Sequence, residues 1–184
     1  MRRAILASVG VAALVVSLGP VSAASAAQRA RTSGPEKVFV LPHDTTSGAH
    51  PGTVLMTGTI ADYGKSVATN ADGKPTKEGT YRVLELTKGT ILVNITSLDE
   101  AINTAFMHAA FDTVTCSVSA PASGTITIVS GTKAYSGITG SFIMGITIAE
   151  IAPRTKSGSC TTKTTTPAVA AFYEATGSGK VTLP

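Results

Sequence analysis

The sequence predicts an all-β fold, a single antiparallel sandwich or barrel with one short helix, and three observations carry that reading. Eight stretches rich in Val, Ile, Thr, Tyr and Phe, at residues 38–42, 53–61, 80–87, 90–96, 113–120, 124–129, 140–151 and 168–176, recur between clusters of Gly, Pro, Asn and Asp. Glycines at 131, 137 and 140 punctuate a tight connection between two strands, each free to take positive φ. Tyr135, set among them, can plug one end of a barrel while its hydroxyl stays near water. One segment, residues 97–110, abandons strand alternation for helical spacing.

The chain opens with Arg2 and Arg3, an apolar run over residues 4–18, Gly19-Pro20, and a small-residue stretch ending at Ala27. That is the tripartite layout of a secretory signal peptide, with cleavage expected after Ala26 or Ala27. The apolar run is shorter than the roughly 20 residues that span a bilayer, which argues against an uncleaved anchor, and with no second such run no membrane association is expected after cleavage. Removing residues 1–27 takes away two arginines and no acid, leaving a formal charge of +2 in place of +4. No basic run suits a phosphate backbone, which argues against nucleic acid as a partner. The remaining length fits one domain with a real core: residues 28–37 read as a flexible polar leader and 38–184 as the β domain. Cys116 and Cys160 are the only cysteines, and export sends them to an oxidising compartment. With no Cys-x-x-Cys spacing and no neighbouring histidine they are expected to form a structural disulfide.

The clearest hairpin runs over residues 79–96, with Lys88-Gly89 as its two-residue turn. Pairing Thr87 with Thr90 sets Leu86 against Ile91, Leu84 against Val93 and Arg82 against Ile95, one mostly aliphatic face with an arginine at its end. Such a face suits the inside of a barrel mouth. In the helical segment, Ser97 and Glu100 are spaced as a capping box, and Leu98, Ile102, Ala105, Phe106 and Ala109 form the apolar stripe. Residues 62–79 and 153–167 are polar and read as exposed loops.

Chemistry-bearing residues are few. His43 and His50 lie in a proline-flanked stretch without zinc-ligand spacing, and His108 sits where it compensates a helix dipole, so no metal site is expected. There is no Gly-x-Ser-x-Gly elbow, no His-Glu-x-x-His, no P-loop and no dinucleotide fingerprint. The polar groups left to line a cavity are Arg82, Glu85, Glu150, Tyr173 and Glu174, with Tyr63 and Tyr135 at loops. Of these, Glu150, among Ile146, Ile148 and Ile151, and Arg82 are the candidates for a catalytic or orienting role.

The connection Ser130-Gly131-Thr132-Lys133-Ala134-Tyr135-Ser136-Gly137 resembles the Gly-Gly-Thr-Gly-x-(Tyr/Phe)-x-Gly pattern of the allene oxide cyclase and dirigent-protein barrel superfamily, with Ser130 and Lys133 in place of two glycines. The ending over residues 175–183 is similar to that family's closing strand. The resemblance implies an eight-stranded antiparallel β-barrel with an apolar lumen. It also implies a cofactor-free cyclase or isomerase that steers a reactive small molecule mostly by shape; no catalytic residue carries over. The expected occupant is a small apolar molecule lined by Leu84, Leu86, Ile91, Val93, Phe142, Met144 and Ile146, with Arg82 or Glu150 orienting it at the mouth. The other reading is a non-catalytic exported binding or surface protein with a filled barrel, working through its loops or as a homo-oligomer.

Overall fold

A computed structural model describes residues 32–42, 52–77, 79–161 and 166–184. The expected signal peptide at 1–27, the first residues of the expected leader, His43 and His50 lie outside the described residues. Eight strands close into an antiparallel barrel in simple sequence order: β1 (Thr32–Pro42), β2 (Gly52–Gly58), β3 (Asp62–Thr69), β4 (Tyr81–Leu86), β5 (Gly89–Asn94), β6 (Ser117–Gly131), β7 (Thr139–Ile151) and β8 (Ala170–Leu183). Helix α1 (Thr96–His108) follows β5, and a single helical turn, Lys133–Tyr135, bridges β6 and β7. Closure comes from β1 against β8, where Val40 pairs with Ala175 and Val38 with Gly177. A closed barrel leaves no sheet edge to template unwanted pairing.

Four expectations change. Residues 32–37 are not leader but the start of β1, because Gly34, Glu36 and Val38 alternate inward and Thr32–Val40 pairs with β8 along its whole length. Residues 62–69 are not loop but β3, whose inward positions include Asp62 and Ser66, both buried although polar. Residues 113–116 form a turn, and 117–120 and 124–129 are parts of one strand, β6; Pro121 sits where β6 has only β7 beside it in the sheet, since β5 ends opposite Thr127. The stretch at 168–176 becomes a strand only from Ala170, the start of β8, which runs on through the glycines at 177 and 179 to Leu183.

The β4–β5 hairpin turns one residue earlier than expected, on Thr87-Lys88, which shifts the pairing by two: Leu86 pairs with Gly89, Leu84 with Ile91 and Arg82 with Val93. A slip of two preserves which face each side chain takes, so the aliphatic face stays inside. Asp62 explains the turn. Its carboxylate accepts hydrogen bonds from the Thr87 amide at 3.3 Å, the Lys88 amide at 3.0 Å and the Thr87 hydroxyl at 2.5 Å.

The capping box does not form. Ser97 is already inside the helix, Ile95 occupies the cap position, and Asn94 Oδ1 accepts the Thr96 amide at 2.8 Å. Ser97 Oγ instead accepts the Thr125 amide at 3.3 Å, tying the helix to β6. The two elements touch closely because residue 124 is glycine: a Cβ there would lie 2.5 Å from the Leu98 Cα. Around the 131–140 connection, Gly137 takes positive φ (+78°), whereas Gly131 contributes space, since a Cβ there would meet the Tyr135 carbonyl oxygen at 2.2 Å. Cys116 and Cys160 are disulfide-bonded, closing 44 residues and fastening the start of β6 to the segment after β7. A loop of that length stabilises by about 4 kcal/mol in the chain-entropy account.

Candidate functional site: an apolar cavity beneath helix α1

The two ends of the barrel differ in what fills them. At the end bearing the Lys133–Tyr135 turn, Met56, Ile91 and Val181 are fully buried and Tyr135 is 3% exposed. The Tyr135 hydroxyl is therefore not near water; it donates to Asp62 Oδ2. Burial opposes charge on Asp62, but the bonds from Thr87, Tyr135, Tyr63 and Lys88 outweigh it and hold the carboxyl well below the usual carboxylate range. Burial, the bond to Asp62 and the nearby Glu36 all push the Tyr135 phenol up. Glu36 is itself 1% exposed; its Oε2 accepts the Ile60 amide at 2.7 Å while Oε1 has no partner. Burial raises its pKa against the lowering effect of the Ile60 and Thr59 amides.

At the opposite end the lumen opens into a cavity of about 210 Å³. Its wall is built from alternate residues of the strands: Val38 and Val40 from β1, Leu84 from β4, Val93 from β5, Ile126 from β6, and Phe142, Met144 and Ile146 from β7. Helix α1 lies along it and contributes Leu98, Asp99 and Ile102. The side chains are apolar except for Arg82, Ser66, Asp99 and the hydroxyl of Tyr173. The Tyr173 hydroxyl donates to Glu150 Oε1 at 3.3 Å, and burial followed by the Glu150 charge raises its pKa.

Six of the eight residues expected to line the lumen border this cavity: Arg82, Leu84, Val93, Phe142, Met144 and Ile146. Leu86 and Ile91 do not. The earlier turn moves their pairs toward the closed end, where they are 8% and 0% exposed in the packed core. Glu150 is not in the cavity wall; it lies in an adjoining groove with Val118 and Phe172, reached from the lumen through Tyr173. Glu85, Glu174 and Tyr63 point outward into solvent.

The sequence reasoning missed Ser66 and Asp99. Ser66 was hidden because β3 read as a loop. Asp99 carried a signal: it falls on the same helical face as Leu98 and Ile102, and a charge on an apolar stripe marks a group facing something other than water. Burial lowers the Arg82 pKa and raises that of Asp99, and in each case the other's charge opposes the shift.

Among the described residues, no three His, Cys, Asp or Glu side chains gather as a metal site, and no helix is long and apolar enough to cross a membrane. No protein-family model matches the chain, and no curated protein or solved structure matches it.

Proposed function

We propose that this protein is an exported barrel that binds a small apolar molecule in the cavity beneath α1 and, by holding one reactive conformer, guides its cyclisation or isomerisation without a cofactor. The observation that carries this reading is the cavity: an all-β core able to pack solid at the Tyr135 end leaves about 210 Å³ at the other, walled almost wholly by aliphatic and aromatic side chains. Orientation within such a wall lowers barriers by several kcal/mol with no acid or base required. The likeness of the 130–137 connection to that of the allene oxide cyclase and dirigent barrels supports the same ligand class. Export is supported by the tripartite N-terminus and by the Cys116–Cys160 disulfide.

Thermal-shift screening against lipophilic compounds tests binding, because a ligand held by the folded state alone raises stability by about 2.7 kcal/mol at a hundredfold excess over its Kd. Leu84→Trp, which puts an indole into the cavity, is expected to abolish that shift. Binding that survives Leu84→Trp would place the ligand elsewhere. A second reading has its own observation. Phe39, Leu55 and Tyr63 pair directly across β1, β2 and β3 on the outer face and are 40%, 46% and 63% exposed. If no compound binds the lumen, this ladder supports an exported surface-binding protein.

A further inference from the structure

The cavity holds one cation and one carboxylate that answer each other only at a distance. Arg82 projects from β4 beside Val93, and Asp99 projects from the first turn of α1. Both border the same cavity and each feels the other's charge. Among the described residues neither side chain has a hydrogen-bonding partner. A guanidinium offers five donors and no acceptor, and a carboxylate offers acceptors only. Both residues are half-buried against an apolar wall, and a molecule that matches both replaces hydrogen bonds that such a wall makes harder for water to supply.

The sum of charge decides what kind of molecule this is. Arg82 and Asp99 cancel, Ser66 and Tyr173 are neutral, and Glu150 stands behind Tyr173 outside the cavity wall. A free carboxylate would gain Arg82 but meet Asp99, and an ammonium would gain Asp99 but meet Arg82. A head group with no net charge meets neither repulsion.

Resting on the reading that the lumen binds a ligand, we infer that the ligand carries a neutral, dipolar head group, a carbonyl-type oxygen set against Arg82 and an N–H or O–H set against Asp99, with its apolar body along Phe142 and Met144. An amide is the simplest such group. Ser66, 7% exposed and facing the same space, can serve either end of the dipole because a hydroxyl both donates and accepts. Selection by charge is stronger here than at an open surface, because Arg82 and Asp99 are half-buried and the apolar wall reduces the water that screens them.

The test uses the full chain and four probes with one tail: octanamide, octanol, octanoate and octylamine, titrated by calorimetry. The wild type is expected to bind octanamide about tenfold or more tighter than octanoate or octylamine, with octanol in between. Asp99→Asn leaves an unopposed cation and is expected to shift preference to octanoate. Arg82→Met keeps the length, leaves an unopposed carboxylate and is expected to shift it to octylamine. Wild-type preference for octanoate or octylamine over octanamide would overturn the inference while leaving lumen binding intact. So would equal affinity for all four, or a preference that neither substitution moves. If none of the four binds, the lumen reading itself falls and takes the inference with it. The wild-type ranking decides the matter even if one variant does not fold.

Discussion

Asp62 and Glu36 are two buried carboxylates at the same end of the barrel whose environments push them in opposite directions. Asp62 is surrounded by donors, from the Thr87 and Lys88 turn and from Tyr135, so its ionised form is favoured by folding. A carboxyl held low in the folded state contributes stability that is fully present above its unfolded pKa of about 4 and is lost progressively as pH falls below that value through the lower folded one. Glu36 has one orphan oxygen and a raised pKa, so its effect has the other sign: it costs stability as pH rises from about 4 through its folded value. Asp62→Asn is therefore expected to lower stability at neutral pH by roughly 2–3 kcal/mol and to flatten the acid limb of a melting-temperature profile. Glu36→Gln is expected to flatten the opposite limb. An unchanged acid limb in Asp62→Asn would remove Asp62 from the account. None of this was legible in the sequence, where Asp62 reads as the start of a polar loop and Tyr135 as a plug with a wet hydroxyl. Their pairing joins residues 73 apart, and no local pattern reports a contact of that range.

Among the elements, α1 was legible and its docking was not. The apolar stripe at 98, 102, 105 and 106 is enough to call a helix and its inner face. What fixes its place is Gly124 on β6, a residue that from the sequence reads as a strand boundary. The same contrast holds for the strands. β4, β5 and β7 announce themselves by alternation, while β3 fails the test because Asp62 and Ser66 stand at inward positions where an apolar residue is looked for. Gly124→Ala is expected to cost about 1–3 kcal/mol, because its Cβ would press on the backbone of Leu98 and a backbone cannot yield as a side-chain end can. Since Leu98, Asp99 and Ile102 move with the helix, the same variant is expected to lose binding of whatever compound the wild type accepts. Urea unfolding and a thermal-shift assay on one preparation read both effects. A destabilised variant that binds normally would show that α1 is no part of the site.

For the molecule as a whole, one closed sheet performs two tasks by dividing them along its axis. The Tyr135 end is packed solid, and a side chain there touches neighbours on every side; the α1 end borders open space, and a side chain there has fewer contacts to lose. Ile91 and Ile146 make the comparison direct, because both are inward-facing isoleucines on strands of the same barrel, one 0% exposed and the other on the cavity wall. Ile91→Ala leaves a new void in a packed region and is expected to cost about 2–5 kcal/mol. Ile146→Ala enlarges a void that already exists and is expected to cost about 1–2 kcal/mol, the smaller end of the same scale. Ligand preference is expected to move the other way, with Ile146→Ala accepting bulkier apolar compounds and Ile91→Ala leaving the wild-type ranking in place. Urea denaturation of the two variants beside the wild type, followed by the same compound series, measures both. Equal losses of stability would mean that the cavity end is packed as tightly as the base and that the division of labour along the barrel does not exist.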